Sequence, residues 1–259
     1  MRAVHKTVVL GTVVIGWLLA TAAWAQSDST PALPFISRRA LGFLLLLPEP
    51  LPPITELERV LDRMDAAARD FKTTEASFVW DQYQKVIAET DTQKGRIYFR
   101  RQGSETQMAA DLTEPDRKYV IYSGGKVQVY QPKIDQVTEY NAGKNRSDLE
   151  SFLVLGFGGG GHDLRNSYEV KFQGPDTVDG VKTDKLELIP ISVHLRNNIA
   201  RIVLWIDPAR GIAVQQQLFE PGGDYRLAKY SEIKINQKLP DDVFKLKTTG
   251  KTKIVSPQG

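Results

Sequence analysis

The stretch Tyr122-Ser123-Gly124-Gly125-Lys126-Val127-Gln128-Val129-Tyr130-Gln131-Pro132 decides how this chain folds. Val127 and Val129 alternate with Lys126 and Gln128, the period of two that sends successive side chains to opposite faces of a strand. Ser123-Gly124-Gly125 ahead of it is short and glycine-rich, which suits a tight reversal between antiparallel neighbours. The pattern repeats outward in both directions, with strand-like runs at 76–87, 94–101, 117–122, 126–130, 136–140, 167–172, 185–189, 199–206, 213–219 and 225–235. Pro208-Ala209-Arg210-Gly211 and Pro221-Gly222-Gly223-Asp224 supply further tight turns. In Lys185-Leu186-Glu187-Leu188-Ile189 the two faces separate again, so one face of the sheet is apolar throughout. On this reading Leu188→Glu disrupts folding or ligand uptake, whereas Glu187→Lys does little. The fold expected is mainly β with some α (α+β), an antiparallel meander.

Two helices interrupt the strands. Thr55-Glu56-Leu57-Glu58 fits a capping box, and Leu57, Val60, Leu61, Met64, Ala68 and Phe71 follow at helical spacing. Ser147-Asp148-Leu149-Glu150 is a second capping box, and Leu149, Phe152 and Leu153 give the short helix after it an apolar face. Gly156-Phe157-Gly158-Gly159-Gly160-Gly161 then ends it. An apolar helix beside a flexible glycine loop reads either as a hinged lid or as a plain structural cover for the sheet.

The chain opens with Arg2, His5 and Lys6, an apolar run from Val8 to Ala20, and Ala23-Trp24-Ala25, the small-x-small pattern of a signal-peptidase site. Residues 1–25 are therefore expected to be a signal peptide, with a mature N-terminus at Gln26 and a periplasmic location. The apolar run falls short of the roughly 20 residues that span a bilayer, which favours cleavage over anchoring. Residues 26–53 carry Pro31, Pro34, Pro48, Pro50, Pro52 and Pro53 and read as a linker or arm. Within it, Leu41-Gly42-Phe43-Leu44-Leu45-Leu46-Leu47 suits packing on the domain or a membrane-surface contact. The folded domain is expected over 54–259.

Composition excludes several functions. Without Arg2 and Lys6, the 34 basic residues lead the 31 acidic ones by one, which is no footprint for nucleic acid. There is no cysteine, so no disulfide and no acylated N-terminal cysteine of its own. His162 and His194 are the histidines beyond the leader, too few and too far apart for a recognisable metal motif or a histidine-based triad. The glycine run matches G-x-G-x-x-G literally, but it follows a helix and precedes a strand, the reverse of the dinucleotide-binding order. No enzyme, metal or cofactor is expected.

Four blocks in order resemble the LolA family of outer-membrane lipoprotein carriers. They are Thr90 to Gly103 with Lys94-Gly95-Arg96-Ile97-Tyr98-Phe99-Arg100-Arg101; Tyr122 to Pro132 continuing into Gln136-Val137; Leu186-Glu187-Leu188-Ile189-Pro190 with Leu204-Trp205-Ile206-Asp207; and Ile233-Lys234-Ile235-Asn236 through Leu239-Pro240-Asp241-Asp242-Val243-Phe244. The sequence departs from the family at Gln102, where proline is usual, at Gly124, where the turn has aspartate, and by the proline-rich segment and the glycine run. The resemblance implies an open antiparallel half-barrel covered by short helices acting as a lid, and a function of shielding lipid rather than catalysis. It implies a cavity for acyl chains lined by Phe78, Trp80, Ile97, Phe99, Ile121, Val127, Val129, Leu186, Leu188, Ile202, Leu204 and Ile206. The lid would be built from Leu149, Phe152 and Leu153, tied down by Arg101 through carbonyls near Leu149 to Leu155; Arg100 offers an alternative alignment. The partners implied are lipoprotein acyl chains, an inner-membrane lipoprotein-releasing transporter and an outer-membrane lipoprotein acceptor, met by a monomer. An envelope sensor using the same half-barrel is the second reading, and a hydrolase a third without visible machinery.

Overall fold

The computed structural model describes residues 54–103, 105–143 and 146–256. The expected leader and proline-rich arm lie outside the described residues. The first helix, α1 (Glu56–Asp70), starts where the capping box places it: Thr55 Oγ accepts from the Glu58 N–H at 3.2 Å. Glu56 and Glu58 in the first turn and Arg69 in the last complement the helix dipole.

The strands are β1 (Thr73–Gln84), β2 (Glu89–Gln102), β3 (Glu105–Glu114), β4 (Lys118–Ser123), β5 (Lys126–Gln131) and β6 (Gln136–Asn141). The helix α2 (Arg146–Leu153) and the glycine loop carry the chain across to β7 (Tyr168–Val178), β8 (Val181–Pro190), β9 (Arg201–Asp207), β10 (Ile212–Phe219) and β11 (Tyr225–Ile235). A four-residue helix, α3 (Val193–Arg196), separates β8 from β9, and β12 (Lys253–Val255) closes the described chain. All lie in one open sheet ordered β12-β6-β5-β4-β3-β2-β1-β11-β10-β9-β8-β7. It is antiparallel except where β12 runs parallel to β6.

The single meander expected from the sequence is thus two meanders, β1–β6 and β7–β11, joined where β1 pairs with β11. Strands β3 and β12 and the helix α3 are additions to the expected elements. The first strand ends at Gln84 rather than Ile87, because Ala88 takes a left-handed φ of 52° and the chain turns there. Val86 is left 97% exposed at the hairpin tip.

The face of the sheet covered by helices, called inner below, carries two apolar clusters. Under α1, Val60, Leu61 and Met64 meet Leu186, Leu188, Leu204 and Ile206. Under α2 and the glycine loop, Phe78, Phe99, Met108, Val120 and Phe157 form the second. The outer face has its own cover on one side, where Leu239 and Phe244 of the C-terminal segment pack on Ala109 and Ile121. Among the described residues no helix is long and apolar enough to cross a membrane.

Candidate functional site

Between the inner face and α2 lies an apolar cavity of about 180 Å³. Its floor is built by alternate residues of successive strands: Phe78 and Trp80 on β1, Ile97 and Phe99 on β2, Met108, Ala110 and Leu112 on β3. Ile202, Leu218, Ala228 and Tyr230 continue the floor across β9, β10 and β11, and Phe152, Leu153, Leu155 and Phe157 form the roof. Phe157 anchors the roof, stacked on Phe99 with ring centroids 5.5 Å apart and edge-on to Tyr230 at 4.7 Å. Phe152 remains 40% exposed at the roof's edge.

Seven of the residues expected to line a cavity or roof do so: Phe78, Trp80, Ile97, Phe99, Phe152, Leu153 and Ile202. Val127, Val129 and Leu149 belong to the apolar cluster around it without lining it. Leu186, Leu188, Leu204 and Ile206 are on the expected face but fully buried, because α1 lies over that half of the sheet. Ile121 faces the other way, under Phe244. Tyr119-Val120-Ile121-Tyr122 has no polar alternation, so its parity is set by Tyr122, which is held inward by a hydrogen bond from its hydroxyl to Glu150 Oε1 at 2.6 Å. Burial first and that carboxylate second push the Tyr122 phenol well above its ordinary value.

The roof is bonded down at several points. Gln216 donates to the Leu155 carbonyl, and the Ala213 N–H donates to the Gly156 carbonyl at 2.9 Å. Arg101, at the inner end of β2, donates to the Ala68 carbonyl at 2.8 Å and to the Gly158 carbonyl, with its guanidinium 5.3 Å from the Phe71 ring centre. The lid carbonyl is therefore Gly158 in the loop, not one in the expected 149–155 span. Arg100 points to the outer face, where it bonds Gln107 and Asp241 and lies over Phe244.

The glycine run is explained by contact rather than by hinging. A Cβ at Gly158, which has φ +82°, would lie 2.5 Å from the Phe71 ring, and one at Gly161 would collide with the Leu61 carbonyl. His162 follows, with Nδ1 2.5 Å from Asp65 Oδ2 and Nε2 2.9 Å from Glu58 Oε2, and Arg165 adds a bond to Glu58 at 2.5 Å. The bonds to Asp65 and then Glu58 hold the imidazole above its ordinary pKa. Arg165 first, with His162, holds the Glu58 carboxyl below the usual range. Asp62 completes a group with its ligand atoms within 4.8 Å of those of Asp65 and His162; both ring nitrogens already face carboxylates, so the cluster acts here as an ion-paired bridge. Glu150 likewise accepts from the Tyr122 hydroxyl and from Arg146 Nε at 2.8 Å; the side chain of Ser147, the expected cap, lies outside the described residues.

Among the described residues one charged side chain stands in the cavity lining, Arg226 on β11. Its Nη2 lies 3.2 Å from Glu220 Oε1, and the two side chains are 14% and 15% exposed. Burial lowers the pKa of the Arg226 guanidinium and raises that of the Glu220 carboxyl. The strand periods on their own gave no sign of this pair, because Glu220 sits in a turn and only pairing with β10 brings it to Arg226.

No curated protein matches the chain. Among solved structures, an uncharacterized conserved protein from Thermus thermophilus is similar at 12% identity with a TM-score of 0.51, covering 78% of this chain and 100% of its own. MucB in the MucA/MucB complex of Pseudomonas aeruginosa is similar at 14% identity and a TM-score of 0.46, over 74% of this chain and 61% of that one. The lipoprotein LppX of Mycobacterium tuberculosis is similar at 13% identity and a TM-score of 0.43, over 72% of this chain and 99% of that one. The family model of the outer membrane lipoprotein carrier protein LolA matches residues 69–247. With the open sheet, the roofed apolar cavity and that match over more than half its length, the chain belongs to the LolA family.

Proposed function

We propose that the protein is a non-catalytic periplasmic carrier that shelters the acyl chains of lipoproteins, taking them from an inner-membrane releasing transporter and yielding them to an outer-membrane acceptor. The observation that carries this reading is the apolar cavity under a roof held by a few polar bonds. Each methylene withdrawn from water is worth about 0.8 kcal/mol, so acyl chains need a cover to cross an aqueous space. The roofed cavity of about 180 Å³ is smaller than the roughly 300–1,000 Å³ of ordinary ligand sites. Loading therefore lifts α2 and the loop, and roof bonds compete with bound chains during release.

The test is purification from periplasm followed by mass spectrometry of whatever co-purifies. Lipoprotein or acyl lipid, together with a mature N-terminus at Gln26, is the expected result. Retention of residues 1–25 in membranes overturns the compartment, and an empty protein that accepts no lipoprotein from inner-membrane vesicles overturns the carrier. Co-purification with a membrane-bound anti-sigma-type regulator in place of lipoprotein points to an envelope sensor.

A further inference from the structure

Among the described residues the lining of the cavity is apolar apart from Gln216 and Arg226. Gln216 is occupied with the roof, donating to the Leu155 carbonyl and accepting from the Tyr230 hydroxyl at 3.3 Å. Arg226 lies toward the rim where β10 turns into β11, with Leu218 and Gln82 as its cross-strand neighbours. Its partner Glu220 is fixed to the turn by its main chain, whose N–H donates to the Asp224 carbonyl at 2.9 Å. Asp224 in turn accepts from the Lys85 N–H at 2.9 Å, and the Lys85 side chain lies over Gly223. A largely buried ion pair adds little to stability compared with well-packed apolar residues of similar size. A charge placed in an otherwise apolar binding site is instead the usual device for orienting an amphiphile.

We propose that Arg226 makes the cavity selective for acyl chains bearing an anionic oxygen head, a carboxylate or a phosphate ester, with the chain against Trp80 and Leu218 and the head replacing Glu220 on the guanidinium. The proposal rests on the acyl-chain-binding part of the carrier reading and adds a ligand class to it, because the ester- and amide-linked chains of a lipoprotein bear no such head. Geometry favours the exchange: an arginine fork matches either oxyanion, and Glu220, at the edge of the Pro221-Gly222-Gly223 turn, has water to swing into.

The experiment measures displacement of a fluorescent apolar probe from the delipidated protein by palmitate, hexadecyl phosphate and methyl palmitate. Anionic heads are expected to bind about tenfold or more tightly than the ester, the scale of one charge-assisted hydrogen bond. Preference for palmitate alone identifies a free fatty acid, and preference for both anions a phospholipid-type head; either supports the site. Arg226→Met should bring the anions down to the ester's affinity and leave the ester unchanged. Glu220→Gln, which weakens the competitor, should tighten the anions, and it decides the matter if Arg226→Met fails to fold. Equal binding of ester and anions by the wild type overturns the inference, as does a preference that survives Arg226→Met or a Glu220→Gln variant with unchanged affinities. If none of the three displaces the probe, the acyl-carrier reading itself falls.

Discussion

At the end of β2 the neighbours Arg100 and Arg101 part, one to each face of the sheet, and only Arg101 reaches the roof. Arg101→Met removes two hydrogen bonds from a charged donor, each worth about 1.5–3 kcal/mol. Hydrogen exchange over residues 156–161 should then accelerate by about tenfold or more, while Arg100→Met leaves it unchanged. Acceleration by both variants alike would mean that general loosening of β2, not the roof bonds, is being measured. The same parity governs Leu188 and Glu187. Leu188 is fully buried under α1, so Leu188→Glu should cost several kcal/mol, read as a large fall in thermal midpoint. Sequence parity alone suggests that Glu187→Lys is harmless. The structure corrects this, since Glu187 accepts from Arg201 at 2.9 Å and from Gln173 at 3.1 Å. A lysine there faces Arg201, and a destabilisation of about 1 kcal/mol is expected, well below that of Leu188→Glu. Equal midpoints for the two variants would sink the face assignment.

Among the links between α1 and the loop that follows α2 is the side chain of His162, held between Asp65 and Glu58. Its pKa is raised in the folded protein, so the bridge is complete below the unfolded value of about 6.5 and is lost as pH climbs through the raised one. The carboxyls work in the opposite sense: Arg165 and His162 hold Glu58 low, and Asp65 is low despite the opposing effect of burial, so their share is lost only as pH falls through these depressed values. Protection of residues 156–166, corrected for intrinsic exchange, should decline on the alkaline side in the wild type and be flat there in His162→Gln. A decline of equal size in the variant would show that another group titrates. Nothing in the sequence points to this bridge, because 97 residues separate Asp65 from His162. What is legible is local: the Thr55 cap and the helical spacing after it give α1, and alternation gives β5 and β8. Strand β3 escapes because Met108-Ala109-Ala110-Asp111 neither alternates nor favours strands, and its pairing with β2 and β4 supplies what propensity does not. The glycine run suggests a hinge by composition, whereas close approach to Ala213 at Gly156, to Phe71 at Gly158 and to the Leu61 carbonyl at Gly161 is what leaves no room for a side chain there.

For the whole molecule, half of the inner face is filled core and half encloses a cavity. The filled half lies under α1, where four residues expected to line the cavity are instead core. The other half lies under α2 and the loop, around the cavity. Sequence patterning shows that the inner face is apolar but not which half is filled, since core and cavity-lining residues obey the same period of two. Filling the cavity separates the two uses of apolar surface. Ala228 lines it from the centre of the sheet, beside Trp80 on β1 and Gln216 on β10. Ala228→Phe places a ring in space that is already apolar, so the thermal midpoint should hold or rise, within the roughly 1–3 kcal/mol that overpacking costs if the fit is poor. Acyl-probe affinity should fall at least about tenfold, because losing room for two methylenes already removes about 1.6 kcal/mol. A roof that merely covered core would tolerate the same ring with no effect on probe binding. If the filled variant is folded and binds the probe as the wild type does, the chains lie elsewhere on the protein and the cavity is not the site.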